Sequence, residues 1–171
     1  MAYSDTLTAT LQASINASIV TAEGNIAGDR QAVHTVNNRL VDGSSSGQAT
    51  GFFSSTFTAT TGGITVSLAD SADPLAAAGD DAPTMDPEGL KLRAILIENQ
   101  DTTNFVDVEQ GTNGVTGWIV ASGDKVRVPA GGVLMATFPA GLDAMNDGSD
   151  DEILFSADTA SVNVKLTYVF G

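Results

Sequence analysis

Along most of this chain apolar and polar residues alternate one for one. The first run opens at Leu7, where Leu7, Ala9, Leu11, Ala13, Ile15, Ala17 and Ile19 are separated by Thr8, Thr10, Gln12, Ser14, Asn16 and Ser18. The large residues at 7, 11, 15 and 19 would also suit one stripe of a helix. The threonines, the isoleucines and the unbroken period of two favour one long strand or two collinear short ones. A second run sets Phe53, Ser55, Phe57 and Ala59 against Phe52, Ser54, Thr56 and Thr58. After the turn signal Thr60-Thr61-Gly62-Gly63 come Ile64, Val66 and Leu68, alternating with Thr65 and Ser67, and the pair of runs predicts a hairpin. The clearest alternation is the last: Val162, Val164, Leu166, Tyr168 and Phe170 against Ser161, Asn163, Lys165 and Thr167, one core face and one wet face.

One stretch breaks the pattern. From Leu90 to Asn99 apolar residues run together, with Leu92, Ala94 and Leu96 on one face of an extended chain and Ile95 and Ile97 on the other. This predicts a central strand covered on both faces. Further short strands are predicted at about 104–109, 115–121, 125–128, 132–138, 152–156 and 160–170, punctuated by glycine, asparagine and aspartate. Many short strands with almost no helix between them predict an all-β fold, two packed antiparallel sheets or a barrel.

Two segments interrupt the strands. Residues 22–51 are polar and end in Gly43-Ser44-Ser45-Ser46-Gly47, which predicts a loop or an extended N-terminal arm; Ala32, Val33, Val36 and Leu40 have helical spacing and allow a short helix there. Residues 70–89 carry Pro74, Pro83 and Pro87 among alanine, glycine and aspartate, which predicts an extended surface loop. Long segments of this kind tend to be functional or to be ordered by a neighbouring chain. At 171 residues the whole, 1–171, is read as a single β-sandwich domain with 22–51 and 70–89 as its arm and loop.

Charge narrows the partners. Seven basic residues against twenty-one acidic give a formal charge of −14, which repels phosphate backbones and anionic lipid heads, so neither nucleic acid nor membrane is expected as a partner. Met1-Ala2-Tyr3-Ser4-Asp5 lacks the basic start and apolar core of a secretory signal, and nowhere do eighteen apolar residues run together. The expectation is a protein made soluble in a cytoplasm.

Motifs for chemistry are sparse. There is no cysteine and one histidine, His34. Residues 43–47 match the letters of the G-x-S-x-G nucleophile elbow, but that motif needs a strained strand-to-helix turn and a histidine placed after the serine, whereas His34 precedes it. Pairs of carboxylates arise by number alone among twenty-one acids, and one tryptophan and two tyrosines offer little lining for a glycosidase cleft. Trp118 reads as core before sugar platform. The densest acidic run, 143–152, supplies Asp143, Asp147, Asp150 and Asp151 as candidate ligands of a calcium loop, though without EF-hand spacing; the simpler reading is a solvated acidic loop. No other cofactor is implied, and the chain is read as a non-enzyme.

The carboxyl-terminal half carries a resemblance. Leu90 to Asn99, Asp101-Thr102-Thr103-Asn104, Gly117-Trp118, the run Gly123 to Leu134 with its Pro129-Ala130-Gly131-Gly132, Ser156-Ala157-Asp158 and the alternation Val162 to Phe170 together are similar to small virion structural proteins of tailed bacteriophages, as is the opening Asp5 to Leu11. The resemblance implies a jelly-roll-like β-sandwich in the virus particle, as a head decoration (cement) or fibre-associated protein, with no catalytic residues. The expected partners are the major capsid protein and further copies of the chain, a trimer being the closed assembly that suits local threefold positions of a capsid lattice. The expected location is the capsid surface of the virion, after synthesis in the host cytoplasm. The second reading is a receptor- or glycan-binding module of a phage tail or fibre.

Overall fold

The computed structural model describes residues 8–19, 30–43, 45–69, 87–119, 123–146 and 148–171. Among these residues the chain forms eleven strands and no helix: β1 (Thr8–Ile19), β2 (Arg30–Asp42), β3 (Gln48–Ala49), β4 (Gly51–Ala59), β5 (Ile64–Ser67), β6 (Leu92–Asn99), β7 (Val106–Gln110), β8 (Lys125–Val128), β9 (Val133–Thr137), β10 (Glu152–Ala157) and β11 (Val162–Phe170). The last eight build two antiparallel four-stranded sheets, ordered β4-β11-β6-β9 and β5-β10-β7-β8. Strand pairs nest from the outside in: β4 with β11, β5 with β10, β6 with β9, β7 with β8. A chain folded into one long hairpin and then rolled, so that successive rungs fall in alternate sheets, gives this order. The all-β antiparallel sandwich expected from the sequence is the fold observed.

Alternation in the sequence becomes burial in the sandwich. Along β4, Phe53, Phe57 and Ala59 are buried while Phe52, Ser54, Thr56 and Thr58 face out. Along β11, Val162, Val164, Leu166, Tyr168 and Phe170 enter the same core. The sheets meet at Phe57 and Phe155, whose rings pack edge to face at 4.9 Å between centroids. Tyr168 buries its ring beside Phe53 and donates its hydroxyl to the Leu68 carbonyl at 2.9 Å, so the phenol loses no hydrogen bond on leaving water.

Strand β6 is covered on both faces, with one departure from simple alternation. β11 pairs with it residue for residue from Val164↔Asn99 to Val169↔Ala94, and then Phe170 stands opposite Leu92. Arg93 is therefore the extra residue of a β-bulge, and it turns Leu92 back to the core side with Ile95 and Ile97. Period two had placed Leu92 with Ala94 and Leu96. Ala94 lies on the opposite side, packed with Val169 beneath Leu40 and Ala49.

Three other expectations are corrected. Thr60 to Gly63 does form a turn, closed by the Gly63 N–H on the Thr60 carbonyl at 3.0 Å, but it joins two sheets and makes no hairpin: β4 pairs with β11 and β5 with β10. Both strands bury their apolar rows in one core, and crossing between the layers at the turn satisfies both. Residues 30–42, read as loop with a short helix allowed, are strand; β1 supplies an unbroken partner for them, and pairing outweighs the weak helical spacing. The strand expected at 115–121 is, over its described part, a turn through Thr116, Gly117 and Trp118, where Gly117 takes φ +86°. Residues 120–121 lie outside the described residues, as does the loop expected at 70–89 except for 87–89.

Candidate functional site

The feature that stands apart from the sandwich is the arm. β1 and β2 pair antiparallel over twelve positions, from Thr8↔Val41 to Ile19↔Arg30, and β2 continues into the two-residue parallel strand β3. The arm is seated at its root. Leu40 and Ala49 cover Ala94 and Val169 on the outer face of the β4-β11-β6-β9 sheet, and Thr10 and Gln12 form one wall of a groove of about 270 Å³ whose floor includes Leu96, Met135 and Thr167. A groove this small is a seam between arm and sheet; it falls below the sizes that hold small ligands.

What holds the root is a knot of carbonyl acceptors around Arg93. The side chain is 2% exposed. Its Nε donates to the Gly171 carbonyl at 2.9 Å and its Nη1 to the Pro139 carbonyl at 3.1 Å. The same Pro139 carbonyl accepts the Gly47 N–H at 2.8 Å and the Ser46 hydroxyl at 3.4 Å, both from the turn that ends the arm. Burial lowers the Arg93 pKa from its ordinary value, yet a guanidinium starts so high that the group stays a cation. A lone arginine inside an apolar run was the sequence signal for this contact.

That turn also disposes of the nucleophile elbow. Gly43 to Gly47 links strand to strand with no helix after it, and Ser45 is exposed, its N–H donated to the Gln48 side-chain oxygen at 2.9 Å. His34 stands in β2 opposite Ile15.

The acidic run is dispersed. Asp143 is exposed and accepts the Thr116 hydroxyl at 2.9 Å. Asp150 is half-buried and its N–H closes a turn onto the Asn146 carbonyl at 3.2 Å. Asp151 is buried and turned the other way, accepting the Ser67 hydroxyl, while its backbone ties Leu68 and Asn113 together. Asp147 lies outside the described residues. Among the described residues no three carboxylate or imidazole groups gather as a metal cage requires. Nearby, Trp118 is half-buried and packs edge to face on Phe138 at 6.1 Å.

On the outer face of the other sheet, β7 and β8 form a ladder of opposite charges that the sequence reading had not singled out. Asp107 stands opposite Arg127 and Glu109 opposite Lys125, with ion pairs of 2.8 Å each, and Arg127 lies over the Phe105 ring at 3.5 Å. Two acids and two bases at every second position of neighbouring strands were the available signal. The hydrogen bond to Glu109 raises the Lys125 pKa, so the pair is whole below the ordinary lysine range and is lost as pH rises through the raised value.

At the short-loop end Asn99 is a buried hub. Its amide donates to the carbonyls of Asn104, Val128 and Pro129, and its oxygen accepts the Asp101 N–H. Asp101 in turn accepts the backbone N–H groups of Asn104 and Thr103, both at 2.7 Å, which hold its pKa below the ordinary carboxylate value. The order this carboxylate brings is full above the ordinary aspartate range and lost as pH falls through the lowered value. Acid titration followed at the Thr103 and Asn104 amide resonances is expected to show a midpoint below that of an unstructured aspartate, and Asp101→Asn is expected to abolish that transition; a midpoint at or above the ordinary value would contradict the arrangement.

No family model matches the chain, and neither a curated protein nor a solved structure does.

Proposed function

We propose that this chain is a non-enzymatic structural protein of a tailed-phage virion, a decoration or cement protein that sits on the outer head surface as a homo-oligomer, a trimer, and braces the major capsid lattice. The observation that carries the reading is the arm: a twelve-pair ribbon whose root, at Leu40 and Ala49, is seated on its own sandwich. A two-stranded ribbon is marginal alone in water, and contact with a further surface supplies what it lacks. The charge of −14 fits an outer position away from packaged DNA. A β-sandwich hosts many functions, so the fold by itself decides nothing.

The test is co-sedimentation of the intact protein with emptied heads of the phage that encodes it, beside its solution mass by light scattering. Binding that saturates at a fixed ratio to the major capsid protein, from a protein of trimer mass, is the expected result. Heads that stay bare overturn the head-surface reading, and a monomer mass overturns the oligomer.

A receptor- or glycan-binding module is the second reading, favoured by the half-buried Trp118 beside the Thr116–Asp143 contact. A change in Trp118 fluorescence on adding oligosaccharides or calcium would support it.

A further inference from the structure

We infer that Asn113-Gly114 is a site of self-modification, where the Gly114 nitrogen closes a ring onto the Asn113 side chain, expels its amide as ammonia and leaves a new acidic group in the turn after β7. The chain holds nine asparagines, and Asn113 is the one followed by glycine. That neighbour matters. A side chain on the following residue crowds the approach of its nitrogen to the asparagine Cγ, and glycine has none. The fold itself demands this glycine, because a Cβ at 114 would run into Cγ of Gln110, whose amide donates to the Gly114 carbonyl at 3.3 Å.

The turn also prepares the nitrogen. Ring closure starts when the Gly114 N–H loses its proton, and the negative charge spreads through the peptide bond onto the Asn113 carbonyl oxygen. That oxygen accepts two backbone N–H groups, from Asp151 and Glu152, at 2.9 Å each. Two amide donors fixed on one oxygen are the arrangement that stabilises a developing oxyanion, so they make the Gly114 N–H more acidic than it is in an open chain. The bridge between Gly114 and Glu152 leaves this N–H out: it is made by the Asn113 carbonyl and by the Val115 N–H, which donates to the Glu152 carbonyl at 3.3 Å. The Glu152 carboxylate opposes a second negative charge nearby. It is bonded through Oε2 to the Asn113 N–H at 2.8 Å, one peptide earlier, whereas the two donors touch the oxygen that carries the charge. Asn113 is half-buried, within reach of water, and among the described residues its side chain makes no hydrogen bond that would hold Cγ away.

Nothing beyond water and hydroxide is consumed. Hydroxide takes the Gly114 proton, the nitrogen forms a bond to Asn113 Cγ, and the bond from Cγ to the side-chain nitrogen breaks as ammonia leaves with a proton from water. Water then adds to either carbonyl of the resulting imide and reopens it, giving aspartate or isoaspartate. Either product puts a carboxylate beside Glu152 in a chain already at −14, and isoaspartate lengthens the backbone by one carbon where it is tied to the start of β10.

The experiment incubates the full-length chain at a series of pH values, folded in buffer or unfolded in urea, and maps its peptides by mass spectrometry. The expected result is conversion of Asn113 in the folded chain to aspartate and isoaspartate forms, heavier by the exchange of NH for O, at a rate that rises in proportion to hydroxide. The folded rate is expected to equal or exceed the rate in urea, and Asn113→Gln to remove the conversion. An Asn113 that stays intact in the folded chain overturns the inference. So does conversion slower in the folded chain than in urea, which would make the turn a protector of this bond.

Discussion

Phe155→Ala is expected to lower the free energy of unfolding by about 3–5 kcal/mol. The ring is fully buried in β10 and meets Phe57 of the facing sheet edge to face at 4.9 Å. Its strand pairs with β5 on one side and β7 on the other, at Phe155↔Ile64 and Phe155↔Val108, so the backbone around it is held and a vacated volume closes only in part. Two losses then add: the transfer of a large apolar group from water, and the contacts of the lining atoms across the void. The check is the urea midpoint at constant m-value, which separates lost stability from a changed unfolded state. A loss below about 1 kcal/mol would mean that the sheets are not packed through this pair.

The same pair explains what was legible beforehand. Phe57 belongs to a run with period two, which announces its buried row whichever strand it pairs with, and Phe155 to a short apolar run bounded by turn signals, which announces a strand. Hence β4, β8, β10 and β11 were readable to within a residue or two. Sheet membership was not. Nothing local at Thr60 to Gly63 distinguishes a hairpin from a crossing between layers, because that choice is made by β10 and β11, about a hundred residues away in sequence. Strand β2 was missed for a related reason: its residues prefer no single conformation, and the twelve partners in β1 decide it. At the acidic run, spacing alone could not reveal that Asp151 turns inward to Ser67 while Asp143 stays in solvent beside Thr116. The charge ladder of β7 and β8 was written openly in the sequence and needed only the knowledge that the two strands are neighbours.

Arg93 marks the point where fold and arm depend on one side chain, and Arg93→Met is expected to cost about 3–6 kcal/mol, at about 1.5–3 kcal/mol for each of the hydrogen bonds to Gly171 and Pro139 from a charged donor. Methionine keeps much of the stem and removes the fork that reaches both Pro139 and Gly171. Arg93→Lys is expected to recover little, since one ammonium has no planar fork to place donors on two separate carbonyls. The position is also the bulge that returns Leu92 to the core, so strain there spreads along β6 as well as outward. The outward effect is what distinguishes an arm anchor from an ordinary buried arginine. Gly47 donates its N–H to the same Pro139 carbonyl, and with Arg93 gone that hydrogen bond loses the neighbour that fixes its acceptor. Hydrogen exchange at the Gly47 amide is therefore expected to speed up more than exchange in β11, which reports the sandwich. If both accelerate equally, Arg93 serves the sandwich alone and the arm root is held by Leu40 and Ala49 without it. If Gly47 accelerates first, the seat of the arm opens at a lower free energy than the sheets do.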